Sequence, residues 1–125
     1  MKLLILYIFP LVALLFTDSQ DVNNIVKALK ANNISYVNEQ LDSSIEITLN
    51  GKNNTYNKAQ ASKFLNDFFS GIKILDFKVL HQSESGGSSY CIGNLLTSDG
   101  NYRMTFFTRE KSGKVVLQEI RMEKQ

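Results

Sequence analysis

The chain has 125 residues, a formal net charge of +2, and one each of cysteine, histidine and proline. So small a charge gives no field to gather nucleic acid or an anionic membrane, and a single cysteine forbids an internal disulfide. One histidine and one cysteine are also too few for a zinc site of the mixed histidine–cysteine kind.

Lys2 opens the chain, and an apolar run from Leu3 to Phe16 leads into Thr17, Asp18 and Ser19. A positive start, an apolar segment of about 7–15 residues and small residues before a cut is the order of a secretory signal. The run is shorter than the roughly 20 residues that span hydrocarbon, and Pro10 interrupts it. No cysteine follows it to carry a lipid. Residues 1–19 are therefore expected to be a signal peptide cut after Ser19. Residues 20–125 are expected to form one periplasmic or secreted domain without a stable membrane anchor. No cofactor, metal or nucleic-acid partner is implied.

Asp21 is placed to cap a helix that carries Val22, Ile25, Val26 and Leu29 on one face. Asn32 and Asn33 end it, and a shorter helical piece over 34–41 puts Ile34, Val37 and Leu41 on one side. Ile45, Ile47 and Leu49 alternate as a strand closed by Asn50 and Gly51. Asn57 caps a third helix, whose stripe of Ala61, Phe64, Leu65, Phe68 and Phe69 ends at Gly71. Four strands follow, roughly 72–81, 89–97, 101–110 and 115–123. Helices first and a meander afterwards predict an α+β domain, with N-terminal helices packed on one face of a curved antiparallel sheet.

Ser98-Asp99-Gly100 and Lys111-Ser112-Gly113 each fit a two-residue or a three-residue hairpin loop. A three-residue loop sets glycine where left-handed backbone is needed. It pairs Asn94 with Met104, Ile92 with Phe106, Phe106 with Gln118 and Met104 with Ile120. One face then gathers Tyr90, Ile92, Asn94, Leu96, Tyr102, Met104, Phe106, Thr108, Val116, Gln118, Ile120 and Met122. The two-residue alternative gathers Gly93, Leu95, Met104, Phe106, Leu117, Glu119 and Arg121, a poorer core. The three-residue loops are expected, since register follows the apolar pattern. On the preceding strand Phe77, Val79 and His81 then face inward, because the other parity buries Asp76 and Lys78. Ile72 and Ile74 are out of phase with Phe77, which predicts a bulge near Leu75.

Phe77-Lys78-Val79-Leu80-His81, a Ser/Gly loop, Tyr90-x-Ile92-Gly93, Gly100-Asn101-Tyr102-Arg103 and Ile120-Arg121 form a recognisable series. With Gln60-Ala61 and Phe68-Phe69 upstream, it resembles a family of small exported bacterial proteins, domain of unknown function DUF4783. Members of that family are similar to the nuclear transport factor two-like fold, a cone made by a curved sheet around helices. The resemblance covers nearly all of residues 20–125 and implies that fold without implying an activity. The family tends to read His-x-Gly-x-Ser where this chain reads His81-Gln82-Ser83-Glu84-Ser85.

In such a cone the function lies in the few polar groups that line it. The expected inward set includes six polar side chains: His81, Tyr90, Asn94, Tyr102, Thr108 and Gln118. Of these, His81, Tyr90, Asn94, Tyr102 and Gln118 are expected to line a small pocket for an apolar ligand. The plainer alternative is that their polar tips are simply wetted at strand ends. A non-catalytic binding or accessory module follows; the alternative is an enzyme with His81 as general base. His81 and Cys91 do not form a nucleophile pair in this register, because Cys91 is expected to face outward. A cystatin-like inhibitor shares the helix-on-sheet layout, but its Gln-x-Val-x-Gly hairpin is absent. On the outer face Leu80, Phe107 and Leu117, with Cys91 and Leu95, are expected to leave apolar area that a homodimer covers. Arg103, Arg109, Arg121 and Glu119 would form its rim. Amino-terminal sequencing of protein recovered from the cell envelope is expected to begin at or near Gln20; full-length protein in the cytoplasm would contradict the leader.

Overall fold

Val22, Ile25, Ala28 and Leu29 recur at helical spacing, and helix α1 (Gln20–Lys30) buries all four. The computed structural model describes residues 20–125, so the expected leader lies outside the described residues. Asp21 in the first turn of α1 and Lys27 and Lys30 in its last complement the helix dipole. Asn32 then takes a left-handed turn at φ 56°, and its side-chain amide meets the backbone of Ile74 twice. Nδ2 donates to the Ile74 carbonyl at 2.8 Å, and Oδ1 accepts from the Ile74 amide at 2.7 Å. Asn33 caps α2 (Ile34–Glu39) by accepting from the Tyr36 amide.

Strand β1 (Leu41–Leu49) turns through Asn50 and Gly51, both at positive φ, into β2 (Lys52–Asn57). Helix α3 (Lys58–Phe69) starts on a full capping box: Asn57 Oδ1 accepts from the Gln60 amide, and Gln60 Oε1 accepts from the Asn57 amide. Strands β3 (Ile74–Ser85), β4 (Ser88–Thr97), β5 (Gly100–Lys111) and β6 (Lys114–Lys124) complete the chain. The six strands form one sheet in the order β2-β1-β6-β5-β4-β3, with the helices against one face.

The sheet is mixed, which corrects the expectation of a wholly antiparallel one: β1 and β6 run parallel. The cause is the crossover. After the β1–β2 hairpin, α3 carries the chain to the opposite edge, and the meander returns until β6 lies beside β1. Strand β2 escapes a hydrophobic-pattern reading because Lys52-Asn53-Asn54-Thr55-Tyr56-Asn57 is exposed along nearly its whole length. Leu41, expected at the end of α2, opens β1 instead and is buried there.

The two hairpin loops differ from expectation, and the difference decides the faces. Thr97 pairs with Gly100 and Lys111 with Lys114, so each connection contains two residues, Ser98-Asp99 and Ser112-Gly113. Gly93 therefore opposes Met104, and Cys91 opposes Phe106. Strand β4 presents Ser89, Cys91, Gly93, Leu95 and Thr97 to the helices, while Tyr90, Ile92, Asn94 and Leu96 point to the outer face. Strand β5 keeps the expected inward set Tyr102, Met104, Phe106 and Thr108. On β6 a bulge at Gln118 shifts the pairing from Thr108–Leu117 to Phe107–Glu119. Parity past that bulge matches the expectation, so Ile120 and Met122 are inward, but Leu117 is also core. On β3 the bulge near Leu75 is present, and Phe77 faces inward. A second bulge at Leu80 turns His81 outward, where it opposes Ile92.

Gly93 holds this arrangement together. A Cβ at that position would lie 2.3 Å from Phe77 Cζ and 2.7 Å from the Lys78 carbonyl oxygen. The Phe77 ring crosses this space and reaches Phe106, with centroids 6.3 Å apart. Gly93→Ala should lower stability by about 1–3 kcal/mol, the usual range for overpacking. Gly71→Ala, where nothing lies within 4 Å, should leave the thermal midpoint nearly unchanged. Equal midpoints for the two variants would show that the close approach is unimportant.

Candidate functional site

The five residues expected to share a pocket do not meet. Tyr102 lies under the helices, edge-on to Phe68 with centroids 5.6 Å apart, and its hydroxyl donates to Asp99 Oδ2 at 2.8 Å. Burial, helped by Asp99, pushes the Tyr102 phenol above its ordinary range. Asn94 is on the outer face, where its Oδ1 accepts from Arg103 Nε at 3.2 Å. His81 and Tyr90 also lie outside, with ring centroids 5.6 Å apart. Gln118 sits at its bulge and donates to Asp42 Oδ2 at 3.1 Å. Thr108, the sixth polar residue of the expected set, is buried, with the Ser89 carbonyl as hydrogen-bond acceptor. Only His81 and Tyr90 remain neighbours.

Cys91 is fully buried, and desolvation pushes its thiol up to about 11, so it holds a proton at neutral pH and is no nucleophile. This burial corrects its expected outward position. The same correction applies to Leu95 and to Leu117, which is 1% exposed and cannot form an interface. Leu80 stays exposed, but at a bulge on the edge strand β3 rather than beside Phe107. Among the described residues no three His, Cys, Asp or Glu side chains cluster to hold a metal.

Two surface features replace the expected pocket. The first is the outer sheet face, where pairing sets Tyr90 beside Phe107 and Ile92 beside Thr105. Arg103, Arg109, Arg121 and Glu123 are exposed around them. The helices pack on the opposite face and cover none of these side chains.

The second feature adjoins the first. Strands β1 and β6 pair at Leu41–Leu117 and again at Glu46–Glu119, so β1 passes four residues where β6 passes one. The strands part there and leave a cleft of about 380 Å³ lined by Asp42, Ser44, Glu46, Phe107, Lys111, Gln118 and Glu119. Asp42 is buried at its base. Its Oδ2 accepts from Lys111 Nζ at 2.8 Å as well as from Gln118, and its Oδ1 accepts from the Ser43 amide at 2.7 Å. The Lys111 ammonium chiefly, then Gln118 and the Ser43 amide, hold the Asp42 carboxyl below its ordinary value against the opposing effect of burial. Sequence reasoning missed Asp42, Ser44 and Glu46. An acidic residue followed by two serines carries no signal until a bulge brings Lys111 and Gln118 to it.

A sheet of this order wrapped on N-terminal helices defines the nuclear transport factor two-like fold. Its similarity to an NTF2-like protein of unknown function from Cytophaga hutchinsonii has a TM-score of 0.58 at 10% identity, covering 83% of this chain and 86% of that one. The family itself is more specific. The model for the domain of unknown function DUF4783 matches residues 22–123, and the chain belongs to that family. A DUF4783 protein from Bacteroides uniformis is 30% identical with a TM-score of 0.78, covering 82% of this chain and 95% of the other. One from Bacteroides fragilis is also 30% identical, with a TM-score of 0.76 and coverages of 81% and 95%. Comparison with curated proteins finds no significant match.

The lowered Asp42 carboxyl makes a pH prediction. Its ion pair with Lys111 contributes fully above the unfolded carboxyl value of about 4. The contribution fades as pH falls through the lower folded value. Lys111→Met should therefore destabilise the protein at pH 7, and the gap from the wild type should close on acidification below about pH 4. Urea denaturation across that range measures it; a gap independent of pH would assign the effect to something other than the ion pair.

Proposed function

We propose that this DUF4783 protein is an exported, non-catalytic binding module whose outer sheet face joins a second copy of itself. The observation that carries the reading is the cross-strand pair Tyr90–Phe107, two half-buried aromatic rings on the face without helices. Ile92 extends that apolar area, and the arginines around it supply a polar rim of the kind interfaces have. Leu117 has no part in this surface and Leu80 lies at its edge, so Tyr90 and Ile92 replace them beside Phe107. The export half of the reading rests on residues 1–19 alone. A catalytic role for His81 has little support: among the described residues its one ring neighbour is Tyr90, and no carboxylate orients it.

Phe107 is already half-buried, so covering the rest of it in such an interface is worth less than the roughly 1.5–3 kcal/mol of a fully exposed side chain. A two-fold interface meets itself, so one substitution acts twice. Phe107→Glu should convert a dimer to a monomer in sedimentation equilibrium with the circular dichroism spectrum unchanged. A wild-type protein that stays monomeric at high micromolar concentration would end the self-association reading.

A further inference from the structure

We propose that the cleft between β1 and β6 binds an organic cation, an ammonium or guanidinium group on an apolar stem. This goes beyond self-association, and the cleft adjoins the self-association surface and shares Phe107 with it.

The cleft is built by the parting of two strands rather than by surface roughness, since β1 takes four residues to pass the single Gln118. Its base is already satisfied. The Asp42 carboxylate accepts four hydrogen bonds, two of them from Ser43, and its charge is cancelled by Lys111 at 2.8 Å. What is left to meet a ligand is the Ser44 hydroxyl, the Phe107 side chain, and the carboxylates of Glu46 and Glu119. Glu46 and Glu119 are in register on adjacent strands, and like charges so placed repel each other. Arg121 Nη2 reaches Glu119 Oε1 at 3.2 Å, but among the described residues Glu46 has no ion-pair partner. A cation seated between the two carboxylates relieves that repulsion, and an aromatic wall suits it further. An anion would face both carboxylates, with the one ammonium of the cleft already engaged.

Titration calorimetry with agmatine tests the proposal, agmatine being a guanidinium and an ammonium on a four-carbon stem. Saturable binding is expected, about tenfold weaker in Glu46→Gln, the loss typical of one charged partner. Glu46 is exposed, so its replacement leaves the core intact. Glu123→Gln, on the same outer face but outside the cleft, should bind as the wild type does. A blocked tripeptide with a central arginine separates two sources of the same group. Tighter binding than agmatine assigns the cation to a polypeptide side chain; weaker binding assigns it to a free amine. No saturable binding of either probe overturns the proposal, and so does an equal loss in Glu46→Gln and Glu123→Gln. A protein that is monomeric yet binds agmatine through Glu46 would sink self-association and leave this site standing.

Discussion

The approach of the Phe77 ring to the bare backbone of Gly93 governs what each face of the sheet displays. With Cζ 2.3 Å from where a methyl would stand, β4 can lie in this sheet only with Gly93 turned toward the helices. Strand alternation then leaves no freedom. Cys91 and Leu95 must be core, and Tyr90, Ile92 and Asn94 must be surface. The aromatic character of the outer face thus follows from a side chain that is missing on the inner one. Phe77 fills the gap and passes the contact on to Phe106 in β5.

Bulges then re-aim what alternation has fixed. The extra residue at Leu80 releases His81 from the inner face and sets it near Tyr90. The extra residue at Gln118 allows Leu117 and Ile120 to be core together, although three positions separate them. It also coincides with the detour of β1, so one irregularity opens the cleft and supplies a side chain to hold its base. Bulges next to functional surfaces commonly act in this way.

Much of this could be read along the chain, and the misreadings share a cause. The helices were legible because their apolar stripes have the helical period, and Asn57 with Gln60 announces a capping box. The phase slip between Ile74 and Phe77 revealed a bulge at Leu75. Strand β4 misled because its bulkier residues, Tyr90, Ile92 and Leu96, share one parity and look like a core. Apart from Leu95, the true core parity holds only glycine, cysteine, serine and threonine, and the missing volume is supplied by Phe77 from the neighbouring strand. The cleft was illegible for a different reason: Asp42 meets Lys111 and Gln118 across 69 and 76 positions of sequence. No local pattern encodes such a meeting.

The amide of Asn32 has a further consequence. It occupies both backbone groups of Ile74 on the side of β3 that faces no other strand. An extended segment from another molecule would therefore find the first rung of that ladder taken. Six residues on, the bulge at Leu80 breaks the spacing of the rungs that remain. A side chain that imitates a strand and a strand that loses step leave little template for fibre growth. The exposed Val79 and Leu80 can thus sit on an open edge without recruiting neighbours into an endless sheet.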